Sequence, residues 1–203
     1  MKIIVVDNNY NKDKFTDEGT RNNIQIVLKP DSALLKGNKP FFIPDFTNHL
    51  IVSPHIVVRV CRLGKNIAKR FAHRYYDGVT IGFELTAKDV VDKLKADGMD
   101  SHIGRNFDSS AAVGEFICLD EEERMGHVVM TMKSSSGEKT EVDSEYLRNS
   151  VEEIIEYVSK YCTLKIGDLI FIGTPSNGQA KAEIDKSFTG FAGDRKLLEL
   201  HIK

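Results

Sequence analysis

Three side chains limit the metal chemistry open to this chain. In Val52-Ser53-Pro54-His55-Ile56-Val57-Val58-Arg59, Ser53 and His55 stand two residues apart, and alternate residues of a strand project from one face. Glu84 follows the apolar run 79–83. A hydroxyl, an imidazole and one carboxylate suit a hard cation such as Mg²⁺ poorly, because it wants oxygen ligands with carboxylates among them. The imidazole of His55 favours Zn²⁺, Ni²⁺ or Cu²⁺ instead, yet with Glu84 it gives two protein ligands, fewer than most tight sites use. The simpler reading is a histidine hydrogen-bonded to Glu84.

The cations Lys29, Lys88 and Arg105 are the other candidates. Arg105 lies in Gly104-Arg105-Asn106-Phe107-Asp108; a guanidinium keeps its proton at ordinary pH, so it suits carboxylate binding better than proton transfer. Asp108 in the same run is read as fixing the loop by local backbone hydrogen bonds. Gly173-Thr174-Pro175 follows the apolar run 169–172 and is no P-loop, since no Gly-Lys-Ser/Thr ending follows. Asp13 and Asp17 lie in a charged stretch that reads as an exposed loop, although either can act as a base if desolvated.

These residues need strands to hold them. Short apolar runs at 2–6, 23–28, 40–43, 56–61, 79–83, 115–119, 127–132, 169–172 and 197–202 have strand length and are rich in Val, Ile and Phe. Two helices are marked. Thr86 with Asp89 reads as a capping box, followed by Val90, Val91 and Leu94 and a stop at Gly98. Ser150 with Glu153 opens a second, with Val151, Ile154, Ile155 and Val158 on one face. A weaker candidate spans 66–76, and 132–148 reads as a hairpin turn and then an exposed segment. Strands outnumber helices without regular alternation, which predicts a mostly β, α+β fold over a doubly wound sheet.

Composition narrows the partners. The 28 basic residues are matched by 30 acidic ones, leaving no net pull towards nucleic acid or an anionic membrane. The N-terminal apolar run is too short for a signal peptide or a span, so a cytoplasmic protein is expected. Cys61, Cys118 and Cys162 each sit in an apolar run and are expected to be buried, reduced thiols.

Taken in order, the blocks around Ser53 and His55, Gly82-Phe83-Glu84-Leu85-Thr86-Ala87-Lys88-Asp89, Gly104 to Asp108 and Leu164-Lys165-Ile166-Gly167-Asp168-Leu169-Ile170-Phe171-Ile172-Gly173-Thr174-Pro175 resemble the fumarylacetoacetate hydrolase family. The resemblance covers nearly the whole chain and implies a mixed β-sandwich roll, with a small N-terminal portion (1–45) carrying a lid-like segment and the site in 46–203. It implies a divalent cation, Mg²⁺ or Mn²⁺, held by a Glu-x-Glu pair and a later Asp. Counting back from Arg62-Leu63-Gly64-Lys65-Asn66-Ile67 places Ser53 and His55 at the pair and Glu84 at the Asp, so cation binding is expected to be weak or absent.

The resemblance further places Thr174, Arg105 and Asp108 among the catalytic positions, and Tyr10, Lys29, Lys88 and Gly173 beside the substrate. Arg105 stands for the family's Lys, Lys88 for its Arg, and the lid histidine is missing from 11–17. It implies hydrolysis, decarboxylation or isomerisation of 2-oxo or 1,3-dioxo acids, and a homodimer. Three outcomes are open: a pseudoenzyme that binds a small oxo-acid, an active modified enzyme using Glu84, His55 and Arg105, or a structural subunit completing an intact paralogue.

Overall fold

The computed structural model describes residues 1–11, 24–36, 39–119 and 125–203, and the expected lid segment lies outside them. Along the chain run β1 (Ile3–Asp7), β2 (Gln25–Lys29), β3 (Leu50–Val60), β4 (Tyr76–Ala87), α1 (Lys88–Ala96), β5 (Ala111–Val113), β6 (Ile117–Cys118), β7 (Val129–Ser134), β8 (Lys139–Asp143), α2 (Val151–Tyr161), β9 (Leu169–Phe171), β10 (Ala180–Lys181), β11 (Ser187–Ala192) and β12 (Arg195–His201). The fold is α+β and mostly β, as expected. One sheet has the order β2-β1-β9-β3-β4-β5, with β10 added on β3 and β6 on β4; the other has the order β12-β11-β7-β8. Only β1 and β9 pair in parallel among the described strands.

The larger sheet curls round. Leu34, just after β2, bridges Ala111 in β5, and the Leu35 N–H donates to the Ala111 carbonyl at 2.8 Å. The concave face therefore encloses Ile3, Val5, Val27, Val57 and Phe171, all buried. Their alternate neighbours Ile4, Val52, Ile56, Val58 and Ile170 point the other way, into the main core shared with the second sheet and α2. Gly82 leaves room on the concave face. A Cβ there would stand 2.5 Å from Val57 Cγ2 and 2.8 Å from the Phe171 ring, too close for any side chain.

Three expectations are corrected. Residues 132–148 do not trail off as an exposed segment, because 139–143 pair with β7 as β8. Thr86 does not cap α1, since it is still paired to Ile51 in the sheet; Ala87 is the N-cap, without a side-chain hydrogen bond. Asp89 instead accepts from the Thr47 hydroxyl at 2.6 Å and the Asn48 N–H at 2.8 Å. The thiols are less buried than expected, with Cys118 exposed and Cys61 and Cys162 half-buried.

The second capping box forms as read. Ser150 accepts from the Glu153 N–H while the Glu153 carboxylate accepts from the Ser150 N–H at 2.8 Å. Replacing Ser150 with Ala is expected to lower stability by about 1 kcal/mol, measured by urea unfolding; an unchanged midpoint would contradict this account of the cap.

Candidate functional site

The β3–β4 register brings the predicted residues together. Ser53 pairs with Glu84 and His55 with Gly82, so Ser53, His55 and Glu84 share the concave face. Pro54 is tolerated between them because β3 pairs elsewhere on its other edge, with β10 at Ile51 and Val52 and with β9 from Val57 to Arg59. Asp7 ends β1 and Lys29 ends β2, and both fall on that face too, since Ile3 pairs with Lys29 and Val5 with Phe171.

Arg105 is aimed in from the loop after α1. Gly104 packs so tightly under that helix that a Cβ would come 2.7 Å from Val91 Cγ2, and Phe107 anchors the other side against Phe41 and Phe46. The guanidinium then forks between two carboxylates. Its Nη1 and Nη2 donate to the two oxygens of Asp7 at 2.7 and 2.9 Å, and its Nε and Nη2 donate to the two oxygens of Glu84 at 3.0 and 2.9 Å. Bidentate pairs of this kind fix direction as well as charge.

Lys29 completes the arrangement. It is 1% exposed, with Nζ 3.2 Å from Glu84 Oε1, and it donates to the Arg105 carbonyl and to Ser110 Oγ at 3.2 Å. Burial pushes its pKa down, and the Glu84 charge recovers only part of that shift. For Glu84, burial pulls upward, but Lys29, the His55 contact and Arg105 together hold its carboxyl well below the usual range. Burial acts to lower the Arg105 pKa, and the Asp7 hydrogen bonds with the Glu84 charge raise it instead. Two carboxylates, Glu84 and Asp7, therefore face two basic side chains, Lys29 and Arg105.

His55 touches this network through Glu84, but without the hydrogen bond expected from sequence. Its Nε2 is 3.4 Å from Glu84 Oε2, but the angle is poor, and neither ring nitrogen has a hydrogen-bond partner among the described residues. The ring packs edge-on against Phe171 at 5.5 Å.

A cavity of about 390 Å³ opens over the network, lined in part by Tyr10, Ser53, Glu84, Lys88, Arg105 and Thr174. The Thr174 hydroxyl is buried and without a partner among the described residues. Its loop is held by Asn9, whose side chain donates to the Ile172 carbonyl at 2.6 Å and accepts from the Asn149 N–H at 2.9 Å. The Tyr10 hydroxyl accepts from the Asp143 N–H at 3.2 Å, and burial pushes its pKa up. Lys88 reaches the rim paired with Asp92. Gly173 lies against Leu147, which a Cβ would approach to 2.6 Å. Asp108 is exposed, in a separate hollow with Ser32 and Lys36.

Asp7 and the central place of Lys29 are not evident from sequence, because their partners lie far along the chain. The available signal is alternation: Ile3, Val5 and Asp7 share one strand face, and an acid ending such a row needs a partner.

These residues do not fit a hard divalent ion. Both oxygens of Glu84 and both of Asp7 already accept from Arg105, and Ser53 and His55 add no negative charge. An ion drawn in would meet two fixed cations.

Comparison with known proteins places the fold. Over 168 residues the chain is 29% identical to an oxaloacetate tautomerase of Rattus norvegicus mitochondria, covering 83% of this chain and 76% of that one. It is 27% identical over 150 residues to the mitochondrial oxaloacetate decarboxylase of Dictyostelium discoideum, covering 73% and 69%. The crystal structure of fumarylpyruvate hydrolase from Pseudomonas aeruginosa, in complex with Mn²⁺ and pyruvate, superposes with a TM-score of 0.86 at 22% identity, over 100% of this chain and 89% of that one. The fumarylacetoacetate hydrolase C-terminal model matches residues 2–203, and the chain therefore belongs to the fumarylacetoacetate hydrolase family.

Proposed function

We propose that this protein binds a small 2-oxo acid in the cavity beneath Thr174 without a divalent ion, and that the family's metal-assisted reaction is impaired or lost in it. The observation that carries this reading is the Arg105 guanidinium, which occupies the oxygens of Glu84 and Asp7. Arg105 supplies fixed positive charge beside the cavity, and the unpartnered Thr174 hydroxyl supplies a donor. The cavity volume suits a ligand the size of oxaloacetate or pyruvate. Neither group moves a proton readily: arginine keeps its own, and a threonine hydroxyl is far from acidic.

A second reading retains an activity that uses Glu84, His55 and Arg105. The two unpartnered ring nitrogens of His55 favour it, because a buried imidazole is a suitable proton acceptor. Its weakness is access, since His55 is 1% exposed.

Calorimetric titration with oxalate, a mimic of an enolised 2-oxo acid, tests the first reading. Oxalate is expected to bind equally well with EDTA or with Mn²⁺, and Mn²⁺ alone is expected to bind in the millimolar range or worse, about 4 kcal/mol short of a micromolar site. Micromolar Mn²⁺ binding, or oxaloacetate turnover that needs Mn²⁺, overturns it. Efficient turnover that resists EDTA and is lost in His55→Gln establishes the second.

A further inference from the structure

We infer that His127, Asp143 and Glu145 form a second site, outside the cavity described above, for a borderline divalent ion such as Zn²⁺ or Co²⁺. His127 lies just ahead of β7, Asp143 ends β8, and Glu145 follows in the next turn, so the β7–β8 pairing brings three separate donors to one end of the smaller sheet. One ligand atom from each lies within 4.8 Å of the others. Donors on one tetrahedral Zn²⁺ at about 2.0–2.2 Å stand about 3.3–3.6 Å apart, so side-chain rotations that bring the widest pair roughly an ångström closer complete the set.

The arrangement is partly built. His127 Nε2 already meets Asp143 Oδ1 in a 2.8 Å hydrogen bond, and opening it by roughly half an ångström reaches the separation of neighbouring ligands on one tetrahedral ion, about 3.4 Å. The Glu145 N–H donates to the same Asp143 oxygen at 2.8 Å, which orients the carboxylate as an outer hydrogen bond to a ligand does. An adjoining hollow of about 600 Å³, shared by His127, Glu145, Met125 and Arg148, gives water access to the remaining coordination positions.

Ligand chemistry selects the ion. One imidazole with two carboxylates ranks Zn²⁺ and Co²⁺ above Mn²⁺ and Mg²⁺, by donor softness and by the general order of divalent affinities. This site does not depend on the reading of the oxo-acid cavity, whose acids are held by Arg105. Its occupancy would still be felt there. The Asp143 N–H donates to the Tyr10 hydroxyl, the Tyr10 ring leans on Tyr146 at 5.8 Å, and Tyr10 lines the cavity. An ion on Asp143 and Glu145 would pin the turn that supports Tyr10.

Titration of the full chain with ZnCl₂, followed by calorimetry and repeated with Co²⁺ by visible absorption, tests the site. One equivalent of Zn²⁺ is expected to bind tighter than about 100 µM, at least tenfold weaker in both His127→Ala and Glu145→Gln, and unchanged in Cys118→Ser. His127 is more than half exposed, so its loss should leave the fold intact. Binding weaker than that threshold overturns the inference. So does binding that survives both variants, or that disappears with Cys118.

Discussion

Replacing Arg105 with Ala is expected to destabilise the protein by about 3–5 kcal/mol, the range for removing one partner of a buried ion pair. The loss is large because Glu84 stays almost fully buried with Lys29 and the edge of His55 against it, while Asp7 loses both charge-assisted hydrogen bonds. The same substitution vacates the space between two carboxylates. Millimolar Mn²⁺ is therefore expected to raise the melting temperature of the Arg105→Ala protein more than that of the parent, because only the variant presents uncommitted acids in this cavity. Thermal unfolding with and without Mn²⁺ measures both. A variant as stable as its parent would show that the Arg105 network contributes little; equal stabilisation of both proteins would show that the guanidinium does not exclude the ion.

The second expected result concerns rebuilding a metal centre. The register of β3 against β4 aims positions 53 and 55 at Glu84, so Ser53→Glu with His55→Glu adds two carboxylates on the correct face. Alone, that pair is expected to gain little Mn²⁺ affinity, because the new acids fall within reach of Arg105 and Lys29. Combined with Arg105→Ala it is expected to bind Mn²⁺ about a hundredfold more tightly than the parent, near 2.7 kcal/mol, consistent with about 1.5–3 kcal/mol for each charge-assisted contact. Oxaloacetate turnover is not expected to return, since no histidine stands in 11–17 to move a proton. Calorimetry on both combinations decides it. If the double substitution binds as tightly as the triple, Arg105 is not the obstacle.

The sequence showed the strands more clearly than their limits. Runs 56–61 and 79–83 mark the middle of the β3–β4 pair, but Pro54 and Glu84 look like boundaries, whereas both lie inside strands that continue to Leu50 and Ala87. Tertiary context overrides the local signal there: Pro54 falls between the two partners on one edge of β3, and Glu84 is neutralised from outside its own strand. The strand at 139–143 was missed because only Val142 of its five residues is buried. The one at 187–192 has Gly190 in its middle, where a Cβ would come 2.5 Å from Ile81, so a residue that lowers strand propensity is required by packing.

The candidate site was legible for a different reason. Ser53, His55, Glu84 and Arg105 were singled out by the blocks that resemble the family, and alternation within a strand put the first two on one face. The Arg105–Asp7 and Lys29–Glu84 pairs have no local signature, because fold topology alone brings together residues so far apart in sequence. Asn9 illustrates the same gap. Its task, clamping the Ile172 carbonyl ahead of Thr174, emerges only once both segments are in place.

The parallel pairing of β1 with β9 sets an order on the synthesis of this protein. Ile3, Ile4 and Val5 leave the ribosome well before their partners Leu169, Ile170 and Phe171. Until then β1 has only the β2 hairpin on one side, and its other edge is a bare apolar template open to any passing strand. Closure of the curled sheet must wait for β9, which stands between β1 and β3 in the sheet, and this favours slow, late folding. A nascent chain of this kind gains from a holding chaperone on its first strand.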